Sequence, residues 1–279
     1  MANDTRDLRG QVVLITGPAR GIGAATARRL AARGARLALV GLEAERLRSL
    51  AQELGPETLW VEADVTDAAA LDAAVEATVE RFGGLDVAIA NAGIPPPVTT
   101  VDRIDPAAFA RVIDVNLLGV FSTVRAALPA LTARDGYMLL IASLSAAAHG
   151  PLTGPYSAAK AGVEALGNVL RLETARQGVD VGVAYFGFID TDMVRDSYAQ
   201  PGAREMREGA ARFLVRPLPV ERAAKGIVRG IERRSQRIVV PRRVWPLVLA
   251  PGLLRPLVDG ATRGAGLERA LDAARRERG

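Results

Sequence analysis

Short apolar runs, rich in branched residues, alternate with longer stretches in which apolar residues recur every three or four positions. The short runs are typical of buried parallel strands and the longer stretches of helices. The predicted strands are residues 11–16, 36–41, 58–63, 85–90, 137–142, 179–185 and 237–240, and long helices are predicted at 106–134, 156–177 and 220–234. This alternation predicts an α/β fold, a doubly wound parallel seven-stranded sheet of the Rossmann type.

The same pattern divides the chain into three parts. Residues 1–10 are polar and charged and form a predicted N-terminal tail, whereas residues 11–240 carry the strand–helix alternation of one domain. Within that domain, residues 194–219 mix Gly, Pro, charges and apolar residues, which suggests a mobile lid. Residues 241–279 form a C-terminal extension, apolar at first and then rich in Arg.

A glycine-rich turn joins the first predicted strand to an alanine-rich helix. Its sequence is Thr-Gly-Pro-Ala-Arg-Gly-Ile-Gly, residues 16–23. Gly17 permits a tight turn, while Gly21 and Gly23 let the backbone approach a pyrophosphate at the helix N-terminus, where free N–H groups favour anions. The turn predicts a dinucleotide site; a plain strand-to-helix turn is the alternative.

The end of the second strand leaves the choice of dinucleotide open. A carboxylate there would hold the 2′-hydroxyl of NAD, and an Arg would accept the 2′-phosphate of NADP. Gly41 and Leu42 supply neither group, and Glu43 is expected to cap the following helix. Arg20, inside the glycine turn, could reach a 2′-phosphate, so the sequence leans towards NADP without excluding NAD.

Polar residues follow the third and fourth strands and interrupt a later helix. Asp64 could accept a hydrogen bond from an adenine amino group or could simply hold its loop. The segment Asn91-Ala92-Gly93 follows the fourth strand. Asn116 lies in the middle of an apolar helix and needs hydrogen-bond partners; it is a candidate for a link to Lys160, with its own helix neighbours as the alternative.

The strongest chemical signal is the spacing of Tyr156 and Lys160, which places both side chains on one helix face. A nearby ammonium group lowers the pKa of a phenol, so this pair could act as a general acid and base. Lys160 is one of two lysines among 36 basic residues, which suggests that the amine itself is needed. Ser143 ends the fifth strand and could point into the same crevice. The alternative is a solvated Lys beside a core Tyr.

Taken together, these residues resemble the short-chain dehydrogenase/reductase family in its roughly 250-residue form. The resemblance covers residues 12–240 and rests on the glycine turn, Asn91-Ala-Gly93, Tyr156-x-x-x-Lys160, and the single positions Asp64, Val65, Asn116 and Ser143. One departure is Phe186, which stands where the family usually has Pro after the sixth strand.

The resemblance implies a hydride transfer between NAD(P) and an alcohol or ketone. Tyr156 would be the general acid/base, Ser143 would hold the substrate oxygen, Lys160 would bind the nicotinamide ribose and lower the pKa of Tyr156, and Asn116 would position a relay water. The cofactor-binding residues implied in this way are Gly17, Arg20, Gly21, Ile22, Gly23, Asp64, Val65, Asn91, Ala92, Gly93, Tyr156, Lys160, Ile189 and Thr191. Phe186, Phe188 and Met193 suggest a rather apolar substrate. A non-catalytic dinucleotide-binding regulatory or scaffold protein is the alternative.

Composition narrows the chemistry. The chain has no Cys and a single His, His149, so we expect no metal site and no Ser/His/Asp triad. His149 lies between Ser143 and Tyr156, where it could line the substrate entrance or merely be exposed. The N-terminus lacks signal-peptide features and no uninterrupted apolar run reaches the length of a membrane span, so a cytoplasmic enzyme is expected.

The net charge of +5 is concentrated at the C-terminus. Residues 233–279 contain 11 Arg and 4 acidic residues, but the Arg residues are not interleaved with aromatic residues as in a nucleic-acid platform, so we expect no nucleic-acid partner. Within this part, residues 244–258 are apolar and interrupted by Pro. They could cover the substrate pocket or pack in a homodimer or homotetramer, which we favour, or lie on an anionic membrane surface.

Overall fold

The computed structural model describes residues 5–209, 216–263 and 265–276. Its strands form one parallel sheet in the order β3-β2-β1-β4-β5-β6-β7. The strands are β1 (Val12–Thr16), β2 (Arg36–Gly41), β3 (Thr58–Glu62), β4 (Val87–Ala90), β5 (Tyr137–Ile141), β6 (Asp180–Phe186) and β7 (Arg237–Val240). The order reverses direction between β1 and β4, which confirms the doubly wound Rossmann fold.

Helices follow the strands and cover both faces of the sheet. They are α1 (Gly21–Ala31), α2 (Ala44–Leu54), α3 (Ala68–Phe82), α4 (Pro106–Ile113), α5 (Gly119–Thr132), α6 (Gly154–Glu173), α7 (Asp192–Ala199), α8 (Pro201–Gly209), α9 (Val220–Glu232), α10 (Trp245–Leu249), α11 (Pro251–Thr262) and α12 (Ala265–Arg276). Predicted and observed boundaries differ by a few residues at most in the long helices.

Alternation along the strands builds two cores, one on each face. In β1, Val12 and Leu14 pack with residues of α3, α5 and α6, whereas Val13 and Ile15 pack with residues of α1, α2 and α9. Burial on both faces explains why the strands read as continuous apolar runs. The fourth strand starts at Val87 rather than at residue 85, because the Asp86 carboxylate accepts a hydrogen bond from the backbone N–H of Val12 at 2.8 Å.

The predicted helix 106–134 is interrupted. A π-helical segment, Asp114–Leu118, lies between α4 and α5. Wide turns of this kind are rare and often mark functional sites. Asn116 is in this segment and is fully buried, so the irregular turn places a polar side chain inside the apolar core.

Within the described part of the chain, one helical stretch is long and apolar enough to cross a membrane by length and composition alone. It is Pro106–Thr132, with a mean hydropathy of 1.5. It contains Arg111, Asp114 and Arg125, so the stretch is not an uninterrupted apolar run. Its apolar character has a clear structural cause, because the side chains of Val115, Val120, Val124, Ala127 and Leu131 are buried in the core of the sheet.

The segments at the two ends of the domain pack against it. Leu8, in the predicted N-terminal tail, is buried in the core, and the Arg6 N–H donates to the Glu232 carbonyl. In the C-terminal extension, Val244 and Val248 are also buried in the core, whereas Leu249 and Leu253 are exposed. Part of the apolar stretch therefore covers its own domain, and contact of the remainder with a membrane stays a prediction.

Two helices occupy the first part of the segment predicted as a lid. They are α7 and α8, separated by Gln200. Residues 210–215 of that segment lie outside the described residues. Near the C-terminus, α12 packs on α8 through Ala270 and Ala274, beside Ala203 and Met206 of α8.

Candidate active site

A cavity of about 500 Å³ lies at the C-terminal ends of β1, β4, β5 and β6. In an open α/β sheet this is where ligands bind, beside the point at which the strand order reverses. Every residue that the sequence nominated for catalysis or cofactor binding lines this cavity: Gly17, Arg20, Gly21, Ile22, Gly23, Asp64, Val65, Asn91, Ala92, Gly93, Asn116, Ser143, Tyr156, Lys160, Ile189 and Thr191.

Two glycines of the turn, Gly17 and Gly23, have no room for a side chain. Gly17 has φ of +64°, and a methyl group there would lie 2.8 Å from the Cα of Ala92. A methyl group at Gly23 would lie 2.7 Å from the Gly17 carbonyl oxygen. Gly21 has φ of +57°, which L side chains rarely adopt. The turn therefore needs glycine for its conformation and close packing.

The N-terminus of α1 leaves its backbone donors available. Arg20 occupies the capping position in an extended conformation, its side chain makes no capping hydrogen bond, and the first turn contains no acidic residue. The first N–H groups of a helix lack partners within it and attract anions. Together with the bare glycine backbone, this arrangement fits the pyrophosphate of a dinucleotide.

Arg20 and Glu43 form an ion pair on the cavity wall, near the end of β2. The guanidinium of Arg20 lies 2.9 Å from Glu43 Oε1, and Arg46 lies 3.9 Å from the same oxygen. The sequence prediction that Glu43 caps α2 is wrong as regards its side chain, which makes no capping hydrogen bond. The carboxylate instead turns towards two cations.

Asp64 holds its loop and also lines the cavity, and its hydrogen bond to an adenine amino group stays a prediction. Its carboxylate accepts a hydrogen bond from the Thr66 N–H at 2.9 Å and lies 3.8 Å from Arg111. Burial alone would raise the pKa of Asp64. The hydrogen bonds from Thr66 and the charge of Arg111 together outweigh this effect, so the pKa is lowered. The group is therefore an ionised acceptor at neutral pH.

Asn91 ties the fourth strand to the glycine turn. Its side-chain amide donates to the carbonyl oxygens of Thr16 and Gly17, at 2.9 and 3.0 Å. The Thr16 hydroxyl accepts from the backbone N–H groups of Asn91 and Ala92. The residues after β4 thus hold the turn in place, a role that the sequence did not suggest for Asn91.

Ser143 and Tyr156 meet at the end of β5. Ser143 is 9% exposed, and its Oγ accepts a hydrogen bond from the Ser145 N–H at 3.1 Å. Burial raises the pKa of Tyr156, and the neighbouring Ser143 hydroxyl lowers it by less. This net direction corrects the prediction of a lowered pKa, because in this structure the burial of the phenol outweighs the stabilisation of the phenolate.

Lys160 is buried behind Tyr156, with its ammonium nitrogen 5.7 Å from the centre of the phenol ring. That nitrogen donates a hydrogen bond to the Ile141 carbonyl at 2.9 Å. Burial lowers the pKa of Lys160 to about 8. Lys160 therefore carries a labile proton near neutral pH, as expected for a lysine kept for its amine.

Asn116 is held by the loop that follows β4. Its Oδ1 accepts from the Ile94 N–H at 2.9 Å, and its Nδ2 donates to the Ile94 carbonyl at 3.0 Å. Neighbours within its own helix are therefore not its partners. A methyl group added at Gly93 would lie 2.5 Å from Asn116 Oδ1 and 3.8 Å from Lys160 Nζ. The absence of a side chain at Gly93 thus leaves room for both groups at the cavity.

The wall beyond β6 comes from Phe186 and the start of α7. Phe186, the departure from the family pattern, lines the cavity and also packs in the core. The Thr191 hydroxyl accepts a hydrogen bond from the Val194 N–H and caps α7. A methyl group at Gly21 would lie 3.3 Å from the Thr191 methyl, so α7 begins directly across from the glycine turn.

His149 is not among the residues that line the cavity. Its Nδ1 lies 2.8 Å from the Ser145 carbonyl oxygen, which fixes the loop between β5 and α6. Sequence reasoning, in turn, missed cavity residues that only the fold brings there: Ile94, Pro95, Arg111, Val194 and Asp196. Arg111 had a usable signal, because it lies on the same helical stretch as Asn116, but its approach to Asp64 depends on tertiary packing.

Comparison with known proteins agrees with this geometry. The family model for short chain dehydrogenases matches residues 11–202. A cis-4-hydroxycyclohexanecarboxylate dehydrogenase from Sinomonas cyclohexanicum is 39% identical over 66% of this chain and 75% of its own. A levodione reductase from Leifsonia aquatica is 35% identical over 76% and 82%, and an 11-beta-hydroxysteroid dehydrogenase from Pinus massoniana is 33% identical over 84% and 68%.

Among solved structures, a crystal structure of levodione reductase superposes with a TM-score of 0.77 at 31% identity, covering 84% of this chain and 96% of that chain. The chain belongs to the short-chain dehydrogenase family. It is an NAD(P)-dependent oxidoreductase of that family.

Proposed function

We propose that this enzyme interconverts a secondary alcohol and a ketone, with Tyr156 as the general acid and base. The observation that carries the proposal is that Ser143, Tyr156 and Lys160 line the same cavity as the glycine turn. A substrate oxygen placed between these two hydroxyls would face a donor from each. A non-catalytic scaffold would not need this arrangement and is not favoured.

The cofactor supplies the hydride that is exchanged with the substrate carbon. In the reducing direction, the Tyr156 hydroxyl gives its proton to the carbonyl oxygen, and the Ser143 hydroxyl donates a hydrogen bond to the same oxygen. The raised pKa of Tyr156 keeps that proton on the phenol at neutral pH until the oxygen develops charge. In the oxidising direction Tyr156 must first release its own proton; the phenolate oxygen then accepts the proton of the alcohol, while the Ser143 hydroxyl donates a hydrogen bond to the alcohol oxygen.

Lys160 and Asn116 support proton movement at Tyr156. The Lys160 ammonium, bonded to the Ile141 carbonyl, is positioned to hold a ribose hydroxyl and to pass a proton towards the phenol. Asn116 and Ile94 fix the loop that lies beside it. A water held at this point would complete the relay to solvent.

The test is a comparison of Tyr156→Phe with the wild type. The substitution removes one hydroxyl, so we expect kcat to fall by about a thousandfold or more, because general acid–base catalysis contributes about 10²–10⁴-fold. Cofactor affinity, measured by fluorescence titration, should stay within about threefold, since Tyr156 is one of many contacts. Turnover retained by Tyr156→Phe would contradict the assignment.

We also propose that the substrate carries its oxygen on an apolar ring. The cavity walls near Tyr156 include Ile94, Pro95, Phe186, Met193 and Val194, which offer few polar partners. Relatives are named for a hydroxycyclohexanecarboxylate and a hydroxysteroid, both ring-bearing alcohols. A screen of cyclic ketones against straight-chain ketones of equal size would test this; preference for the straight chains would contradict it.

Arg20 supports a preference for NADP over NAD. Its guanidinium lies on the cavity wall, and Glu43, a carboxylate on the same side of the cavity, is paired with it. A 2′-phosphate would compete with Glu43 for Arg20, whereas a 2′-hydroxyl would gain less. Thermal-shift titrations at matched concentrations should give the larger rise in Tm with NADPH.

Self-association is proposed through the outer faces of α5 and α6. Phe121 and Leu118 are 49% and 48% exposed, and Leu172 and Val169 on α6 are 80% and 50% exposed. Exposed apolar residues grouped on two neighbouring helices favour a protein partner, and a second copy presents the same face. Phe121→Arg should shift a homodimer or homotetramer to a smaller species in light scattering, whereas Leu253→Arg in the extension should not.

A further inference from the structure

The helix α7 forms part of the cavity wall. Asp192, Met193, Val194 and Asp196 line the cavity. The rings of Phe188 and Tyr198 lie 5.6 Å apart and connect α7 to the loop after β6. The position of α7 therefore decides the shape of the substrate side, and α8 continues from it after Gln200.

The C-terminal helix α12 packs directly on α8. At Gly202 the two helices are so close that an added methyl group would lie 3.2 Å from the Ala274 Cβ and 3.3 Å from the Ala270 carbonyl oxygen. Ala270 and Ala274 are almost fully buried. Small residues on both helices permit this close approach, and Arg269 and Glu205 add an ion pair of 3.0 Å at its edge.

Two loops beside the active site also pack at this contact between α8 and α12. A methyl group added at Gly202 would also lie 3.0 Å from Leu152, which belongs to the loop between Ser143 and Tyr156. Leu152 is buried at φ of +64°, a conformation that leucine rarely adopts, so its surroundings hold it there. Val98, in the loop after β4, is buried in the same cluster.

Charges extend this contact along α12. Neighbouring groups lower the pKa of Asp102, which lies in the loop after β4; they are Thr100 and, through their charges, Arg275 of α12 and Arg103. Arg275 of α12 thus lies near the loop after β4. The residues of α12 are outside the stretch matched by the family model, which ends at residue 202.

We propose that α12 is a C-terminal clasp that positions α7 and α8 as the wall of the substrate site. It does so by holding α8 against Leu152 and Val98. The expected effect of the clasp on catalysis rests on the proposed alcohol–ketone activity. The packing of α12 on α8 can be tested without turnover. The clasp is a positioning element, and none of its residues touches the reacting atoms.

The experiment inserts bulk into the clasp and into a neighbouring control position. Ala270→Leu and Ala274→Leu place a larger side chain in the tight contact between α8 and α12. Ala273→Leu makes the same change on the same helix outside the cluster. Trypsin cleavage after Arg195 and Arg204, followed without ligands, should be about tenfold faster in the two clasp variants than in the control, because overpacking destabilises the contact locally. KM for the best ketone should rise about tenfold, with kcat and cofactor affinity within about twofold, because none of the clasp residues belongs to the glycine turn or the catalytic groups.

Equal cleavage rates and KM values in the clasp variants and Ala273→Leu would overturn the proposal. If a clasp variant is cleaved throughout the chain, Leu152→Ala replaces it, because this variant opens the same contact from the loop side while leaving α12 unchanged. Cleavage in α7 and α8 that stays at the wild-type rate in Leu152→Ala would equally overturn it. A wild-type protein without activity on any ketone would count against the proposed function and leave the cleavage result intact.

Discussion

The two sides of the cavity are built in different ways. The predicted cofactor side consists of strand ends, the glycine turn and backbone groups held by Asn91, and most of its residues lie within the first hundred positions. The substrate side consists of α7, α8 and loops that are held by a helix from the end of the chain. A site formed by backbone groups leaves short motifs in the sequence, whereas a site formed by side-chain packing between residues far apart in the chain does not.

The largest effect is expected on the cofactor side. A methyl group at Gly23 would lie 2.7 Å from one backbone oxygen and 2.8 Å from the side chain of Asn91, so Gly23→Ala must displace the turn. We expect cofactor affinity in fluorescence titration to fall about 100-fold, which combines overpacking with lost phosphate contacts.

Gly252→Ala is the control for this variant, because a methyl group there meets nothing within 4 Å. Tryptic cleavage of α7 and α8 should remain at the wild-type rate in Gly23→Ala. Faster cleavage there would show that the two sides are not independent.

Lys160 lies between the two sides, and its charge should link stability to pH. Because burial lowers its pKa to about 8 from 10.5, the folded protein releases this proton before the unfolded chain does. The penalty for burying the charge is therefore present below pH 8 and is relieved as pH rises towards 10.

Relative to Lys160→Met, the wild type should gain about 2 kcal/mol in free energy of unfolding between pH 7 and pH 10. Urea unfolding of both proteins across this range measures the difference. The range stops at pH 10 because burial raises the pKa values of Tyr156 and Tyr137, and their effect on stability has the opposite sign. A difference that does not change with pH would contradict a buried Lys160 with a lowered pKa.

Variants of Arg20 and Glu43 test the cofactor preference within the predicted cofactor side. Arg20→Ala should weaken NADPH binding about tenfold and leave NADH binding nearly unchanged, since a hydrogen-bonded charge pair contributes about 1.5–3 kcal/mol. Glu43→Gln should strengthen NADPH binding, because it frees Arg20 from the ion pair. Calorimetric titration of both cofactors checks this, and an equal loss for NADH would rule out a 2′-phosphate contact.

The smallest effect is expected on the substrate side. Met193 lines the cavity from α7 and is partly exposed, so Met193→Ala removes apolar surface without disturbing the core. KM for an apolar ketone should rise about fivefold, consistent with the loss of a few buried CH₂ groups. Steady-state kinetics with saturating cofactor measures it. His149→Ala, outside the cavity, serves as the control and should leave KM within about twofold.

Sequence reasoning identified the fold and the cavity residues because both leave local patterns. The strands of this sheet are buried on two faces and read as apolar runs, and the glycine turn is defined by backbone conformations that only glycine adopts easily. Sequence reasoning is weaker where a polar side chain has several possible hydrogen-bond or ion-pair partners. The Glu43 side chain pairs with Arg20 instead of capping α2, and Ile94, the partner of Asn116, has no signal in the sequence.

By itself, then, the sequence determined the doubly wound sheet, the glycine turn and the spacing of Tyr156 and Lys160, since each depends on residues close together in the chain. The tertiary structure decided the direction of the pKa shift at Tyr156, because burial of the phenol raises its pKa by more than the neighbouring Ser143 lowers it. It also decided that α12 packs on α8. Contacts between residues some 70 positions apart depend on which surfaces the folded sheet leaves exposed, and no local pattern encodes that.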